Sequence, residues 1–506
     1  MTLFKLSLLS ASILLSQQAF SLEASDVTVK QLMARTIKLE QALTQLKRKQ
    51  EALPAQVQVT KGTLNTPAGY ISTPLSVHTL AGKQDDVTFS PSALMAGDYV
   101  LTYIAGMPVV TSPYLGQRPA FDGSDFITNI SSINQDVRLM MHRNAVSRGL
   151  KKLGYPQPNS PILALSGAIE PVTWHSKSYA GNSSWDMDLG TAKLDIAAAL
   201  NSWVEGYFSF SYDSSPPAVS GSRVSNSSVR LGKGFVNIGN LDHSPVYFTA
   251  GQLYVPFGRY SSSMISAPIP MGMARTMART MIVGFRHQQA TGLYGAAFGF
   301  KSDTTNCSRA TYGVNLGYDF NASSMRGEVG ISLMNSMNEA GGMQSASGSA
   351  GQFAGFGASA STEAVNKVPA IDLHANVNVD AFGFSAEWVS ATQAFRQVDL
   401  SFNQRGAKPQ SINIEGAYTF KLKNKPASTG VDYGWSRQSL ALGLPHQRVS
   451  AVFNVSMWRD TVQSIEVRHD MDYGTSDQAA GAGSTVNRVG SGKSANTVTA
   501  QLGVYF

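Results

Sequence analysis

The sequence predicts an all-β transmembrane barrel of about 16 antiparallel strands over residues 161–506, preceded by an N-terminal α-helical coiled-coil extension. Residues 1–21 have the layout of a secretory signal peptide: Lys5 in the basic n-region, an apolar stretch from Leu6 to Leu15, and the small-x-small site Ala19-Phe20-Ser21. After it, no run of about 18 apolar residues occurs, so an exported chain of this kind spans a bilayer only as a closed barrel, which pairs every backbone group internally. The last residues read as a strand. Val498, Ala500, Leu502, Val504 and the aromatic Phe506 fall on one face, because successive side chains of a strand point to opposite sides. A soluble edge strand has the same pattern, and the export signal favours the membrane barrel.

Composition agrees with this. Only 14% of residues are charged and the mean hydropathy is −0.09, an average expected when lipid-facing and water-facing residues alternate. For an exported protein, a net charge of +7 fits a basic surface or pore better than nucleic-acid binding. Cys307 is the sole cysteine, so no intramolecular disulfide forms, and no cysteine follows the apolar stretch to carry a lipid anchor.

Residues 22–54 are expected to form a periplasmic coiled coil. Val29, Leu32, Thr36, Leu39, Leu43, Leu46, Gln50 and Leu53 are spaced by alternating steps of three and four, and Pro54 stops the helix. Polar Thr36 and Gln50 weaken the seam, and a lone amphipathic helix fits the same pattern. A coiled coil here suits a homotrimer, although the spacing does not fix the number of strands. Residues 55–160 read as a periplasmic linker or lumen-plugging unit containing one helix. Ser132 and Gln135 have capping-box spacing, and the helix can run to Gly154 with Arg138, Arg143, Arg148, Lys151 and Lys152 along it. These basic residues read as a solvated face, with contact to an anionic ligand or lipid as the second reading.

From Ile162 onward the pattern is strand after strand. Ile371, Leu373, Ala375, Val377 and Val379 alternate with Asp372, His374, Asn376, Asn378 and Asp380. The run from Ile412 to Phe420 repeats the alternation, as does Ile465, Val467, His469, Met471 and Tyr473 against Glu466, Arg468, Asp470 and Asp472. Tyr207, Trp388, Tyr418, Trp458 and Tyr505 are expected in the interfacial girdles. Roughly 345 residues remain for the barrel; at about 10 per membrane strand, sixteen strands use about 21 each with their loops, and twenty-two leave too little. Short connections at Asn201, Ala381-Phe382 and Arg459-Asp460 fall on one side, and long Gly/Ser-rich ones on the other.

The third long loop, Gly258 to Arg279, is the candidate constriction. It carries Arg259, Arg275 and Arg279, with Arg286 just after it, and Arg468 falls on the lumen side of a later strand. Arginine keeps its charge and forks onto carboxylates and phosphates, so a ring of them selects anions. Contact with lipopolysaccharide is the competing role. Asp195, Glu205, Glu328, Glu387, Glu415 and Glu466 are expected on the lumen face, opposite Lys193, Arg230, Arg326 and Arg468.

Enzymatic readings have little support. Gly490-Ser491-Gly492-Lys493-Ser494 resembles the end of a phosphate-binding loop, but Asn487 stands where its first glycine belongs and a strand follows instead of a helix. The eight histidines are dispersed without metal-ligand spacing, so no metal or cofactor is expected.

Three stretches, Met107 to Gly116, Gly251 to Gly258 and Leu400 to Pro409, together with Arg468 to Tyr473, resemble the LbtU-type siderophore porins. The resemblance covers most of the mature chain. It implies an outer-membrane barrel with a coiled-coil extension that passes or receives a ferric siderophore of the polycarboxylate kind, and it transfers no ligand-contacting residue. The expected function is an outer-membrane porin-like transporter or receptor for a small anionic solute. A general diffusion porin, an energised receptor and a surface adhesin remain open.

Overall fold

The computed structural model describes residues 74–75, 98–104, 107–111, 133–152, 161–213, 228–288, 291–302, 310–322, 325–344, 366–458, 461–481 and 488–505. The expected signal peptide over residues 1–21, the expected coiled coil over 22–54, Ser132 and Cys307 lie outside the described residues.

Sixteen strands make the wall: β1 (Ile162–Lys177), β2 (Ser183–Ala199), β3 (Val204–Asp213), β4 (Ser228–Gly239), β5 (Val246–Tyr254), β6 (Met277–Arg286), β7 (Gly292–Lys301) and β8 (Ala310–Ala322) in the first half. The second half is β9 (Met325–Met334), β10 (Ala370–Val379), β11 (Phe382–Ala391), β12 (Gln410–Leu422), β13 (Lys425–Arg437), β14 (Gln447–Val455), β15 (Thr461–Met471) and β16 (Ser494–Tyr505). Each pairs antiparallel with its sequence neighbour, and β16 pairs with β1 from Asn496↔Lys177 to Tyr505↔Ala168, which closes the cylinder. Closure leaves the wall without a free edge, the condition for a sheet in hydrocarbon.

The predicted faces hold along the wall. Leu373, Ile414, Ile465, Val467 and Leu502 are exposed on the outside, while Asp372, Glu415 and Glu466 are buried inside. Two expected girdle aromatics, Tyr207 and Tyr505, face inward instead: each pairs in register with inward-facing residues, and their hydroxyls donate to Asp195 and Glu170. A phenol that can reach a carboxylate is better placed there than against lipid. Tyr473 leaves the apolar face predicted for it, because β15 ends at Met471 and the ring folds under a loop onto Ser436.

Seven short connections join strand ends that meet at one end of the barrel, those of β2 with β3, β4 with β5, β6 with β7, β8 with β9, β10 with β11, β12 with β13 and β14 with β15. By the usual asymmetry this end is periplasmic. The first outer connection, expected from His175 to Ser184, is only the turn between Lys177 and Ser183, because β1 and β2 continue past the membrane. Two outer loops pair with each other: Leu400–Phe402 with Gln478–Gly481, flanked by Arg405–Gly406 and Arg488–Val489, forms a small second sheet at the outer mouth.

At the periplasmic end, β16 stops before β1 does. The exposed lower edge of β1 is covered by Met107–Thr111, which pairs parallel with Leu163 to Leu165 and antiparallel with Asp98–Ile104. Inside the wall, inward glycines make room for rings on the next strand. A Cβ on Gly317 would lie 2.2 Å from the Tyr294 ring, and one on Gly284 would lie 2.2 Å from Tyr247.

Candidate functional site

Among the described residues, two elements occupy the lumen. The first is helix α1 (Gln135–Lys152), which starts at mid-barrel and descends along β2 to β5 to the periplasmic turns. Gln135, at the start of the helix, turns its side chain to the wall. Its amide nitrogen donates to Tyr207 Oη (2.7 Å), and its oxygen accepts from Lys233 Nζ (2.5 Å). At the next residue, Asp136 accepts from Thr249 Oγ1 (3.1 Å), and about two and a half turns below Gln135, Asn144 donates to Asn240 (3.1 Å). At the bottom Arg148 bridges to Asp242.

The helix was expected to present a solvated basic face, yet Arg138 and Arg143 are buried. Arg143 reaches the Gly239 carbonyl and Glu205. The apolar side of α1, with Ile133, Val137, Leu139 and Met140, joins the same buried cluster as Phe235 (4% exposed) and Tyr247 (5%) on the inner wall. A water-filled pore would leave those rings wet. Burial also pushes the His142 imidazole down to about 4, leaving it neutral at pH 7.

The second element is the third outer loop, 255–276, closed at its base by Val255 N–H donating to the Thr276 carbonyl (3.0 Å). It folds into the barrel and runs along the inner wall from β9 to β15, held by four wall glutamates. Gly258 (φ 78°) and Tyr260 (φ 57°) are both left-handed, so the Arg259 and Tyr260 amides point the same way and donate to Glu387 at 2.7 and 2.6 Å. This is a backbone nest closed around a carboxylate. Gly258 is required there, since a Cβ would sit 2.4 Å from the Tyr260 ring.

The Arg259 guanidinium forks onto Glu328 at 2.7 and 2.8 Å. Ser262 Oγ and the Ser263 amide donate to Glu415, both at 2.6 Å. The Ile265 and Ser266 amides donate to Glu466 at 2.5 and 2.9 Å. Arg448 ties the far end by donating to the Ala267 carbonyl (3.0 Å). The loop then turns into the short helix α2 (Ile269–Ala274), where Ile269 packs over Gly434. Charge-assisted bonds of this kind contribute about 1.5–3 kcal/mol each, so the set is a firm latch.

The five predicted site arginines separate. Arg259, at the top of α1, is flanked by Tyr294 (5.0 Å to the ring centroid) and the Asn134 amide. Burial works against its charge, and Glu328 outweighs that and holds the guanidinium above its ordinary pKa. Arg286 lies on the other side of Tyr294 (5.5 Å) and pairs with Asp319 at 2.5 Å. Arg275 lies over Tyr254 at 4.5 Å, with Lys233 also over that ring at 5.2 Å. Arg468 faces the lumen further round and shares Asp470 with Arg448. Arg279 does not join them: it alternates with inward Ala278 and Thr280 and points outward beside Met281.

The lumen acids are thus occupied. Glu328, Glu387, Glu415 and Glu466 hold the loop and do not oppose wall cations as expected. On the opposite wall Lys193, Arg138 and Arg275 stand around Lys233, with Asp195 the acid beside Lys233 and Asp136 the acid beside Arg138. Lys233 and Arg138 were not marked as site residues from the sequence. Alternation puts Lys233 inward, but only the packed helix brings Arg138 to it. Among the described residues no group of three or more metal-ligating side chains converges, and no helix is long and apolar enough to cross a membrane, which says nothing of the strands.

No family model matches the chain. A UPF0422 protein of Legionella pneumophila strain Philadelphia 1 is 50% identical over 477 residues, covering 92% of this chain and 90% of that protein. The chain belongs to the UPF0422 family. A UPF0422 protein of Coxiella burnetii (strain RSA 493 / Nine Mile phase I) is 35% identical over 402 residues, 78% of this chain and 83% of its own length. Among solved structures, the outer membrane channel DcaP of Acinetobacter baumannii aligns with TM-score 0.44 at 11% identity, over 69% of this chain and 98% of that one. An anion-selective porin from Comamonas acidovorans aligns with TM-score 0.43 at 9% identity, over 69% and 100%. At these similarities, the barrel architecture of this UPF0422 member rests on its own strand pairings.

Proposed function

We propose that this UPF0422 protein is an outer-membrane transporter or receptor for a small anionic solute, with the ferric chelate of a polycarboxylate siderophore as the substrate class. The observation that carries the reading is the unequal lumen. The loop occupies Glu328, Glu387, Glu415 and Glu466 of β9, β11, β12 and β15, while Lys193, Lys233, Arg138 and Arg275 stand together on the facing side, with Asp195 beside Lys233 and Asp136 beside Arg138. A cation cluster in a site of low dielectric enriches anions by electrostatic focusing. The likeness to the LbtU-type porins supplies the iron chelate, a polyanion that such a cluster attracts. Transport needs α1 or the latched loop to move, and no bond is made or broken. Assembly as a homotrimer through residues 22–54 belongs to the same proposal.

The test is reversal potential across a planar bilayer under a KCl gradient. Wild type is expected to prefer chloride, and K233Q/R275Q to shift toward potassium. Identical reversal potentials would remove these two residues as the filter. Uptake of ferric citrate by a deletion strain, restored by wild type but not by the double variant, tests the substrate class separately.

A further inference from the structure

The outer face of the wall carries a second arrangement that solute passage does not use. Across β10 to β13 the register aligns Leu373, Trp388, Ile412 and Trp435 in one outward row. Paired tryptophans in such a row mark the boundary between hydrocarbon and headgroups. One step toward the outer rim, the next row is Ile371, Ser390, Gln410 and Arg437. Between this row and the loops above it lies a notch of about 350 Å³, with Ile371 and Trp388 as its apolar floor and Lys408 and Arg437 on its rim.

The notch is held in shape. Gln438 adopts a left-handed backbone (φ 55°), and its side-chain oxygen accepts from the Lys408 amide at 2.6 Å, tying the two cation-bearing loops together. Both cations are exposed, and neither has a carboxylate partner among the described residues. No acid lines the notch. The surrounding surface has the same sign. The strand carboxylates whose side chains are described all point inward, while Lys177, Arg279 and Lys301 join Arg437 on the outer face near the outer rim.

An apolar floor at the hydrocarbon boundary, with two cations directly above it that lack a carboxylate partner among the described residues, is complementary to an amphiphile with acyl chains below and a negative headgroup above. A free anion would use the cations and ignore the floor. We propose that this notch is a binding site for the phosphorylated headgroup of an outer-leaflet glycolipid, with Lys408 and Arg437 contacting phosphate and Trp388 packing on the first acyl carbons. The inference requires the barrel to stand in a bilayer with its short turns in the periplasm, and it is independent of anion transport.

The probe is diphosphoryl lipid A, titrated onto the full-length protein in dodecyl maltoside and read by native mass spectrometry. Wild type is expected to retain it, and K408Q/R437Q to bind about 25-fold more weakly, a factor of roughly five for each cation near an anionic surface. K408R/R437K, which keeps both charges, should bind like wild type, and K421Q/K423Q at the periplasmic end should change nothing. Unfolded material is excluded by requiring each variant to keep its heat-modifiable gel mobility. Equal binding by wild type and K408Q/R437Q would overturn the proposal. So would equal binding of dephosphorylated lipid A, or full displacement by inorganic phosphate, which would make the notch a simple anion site.

Discussion

Replacing Gln135–Lys152 with a Gly/Ser segment of the same length should raise the single-channel conductance several-fold, from a small or flickering current to a stable ohmic step. The 18-residue helix fills the lumen beside β2 to β5, and with its side chains it is a cylinder about 10–12 Å wide. A flexible 18-residue linker has a root-mean-square span of about 24 Å, close to the helix length of about 27 Å, so the chain still reaches the barrel. Strand pairing does not depend on α1, and the barrel should keep its heat-modifiable mobility. An unchanged conductance in a folded variant would mean that the helix does not obstruct the path.

The second large effect concerns stability. Arg259→Met should destabilise the barrel by about 3 kcal/mol, because it leaves the Glu328 carboxylate inside the wall with only the Asn376 amide (3.1 Å) still donating to it. The double variant R259M/E328L should recover most of the loss, since two apolar side chains replace a buried ion pair at little net cost. The measurement is the temperature at which the folded, fast-migrating band converts to the unfolded one. Equal conversion temperatures for wild type and R259M would show that the fork onto Glu328 contributes nothing to the native barrel.

The two results separate what the sequence made legible from what it did not. The wall was legible. A period of two along Ile371 to Val379, Ile412 to Phe420 and Ile465 to Met471 assigns each side chain to lipid or lumen, and the residue count limits the strands to about sixteen. The inward direction of Glu328, Glu387, Glu415 and Glu466 followed from that alternation as well. Their partners did not. Apart from the Arg259 guanidinium on Glu328 and serine hydroxyls on Glu415 and Glu466, those partners are the backbone amides of Arg259, Tyr260, Ser263, Ile265 and Ser266, and every residue but proline has such an amide, so no residue type signals it. The exception is Gly258, whose left-handed turn hints at a nest before Arg259.

Three of the misplaced residues share one cause. Arg138 and Arg143 look solvated because positive charge on a helix usually is, and Tyr207 and Tyr505 look interfacial because tyrosine near a strand end usually is. Three are buried here because a long-range partner stands ready, Glu205 for Arg143, Asp195 for Tyr207 and Glu170 for Tyr505, while Arg138 donates locally to the Ile133 carbonyl. The Arg279 assignment failed for a different reason. The expected loop extends to residue 279, whereas β6 begins at Met277, and strand parity then turns Arg279 outward.

The latch between the third outer loop and the wall glutamates is tested most directly by hydrogen exchange of the detergent-solubilised protein, followed by mass spectrometry of peptides covering residues 255–276. Amides held by Glu387, Glu415 and Glu466 open only when the loop leaves the wall, so these peptides should exchange as slowly as those from β9 to β12. Exchange within seconds, at the rate of an unstructured outer loop, would contradict the account.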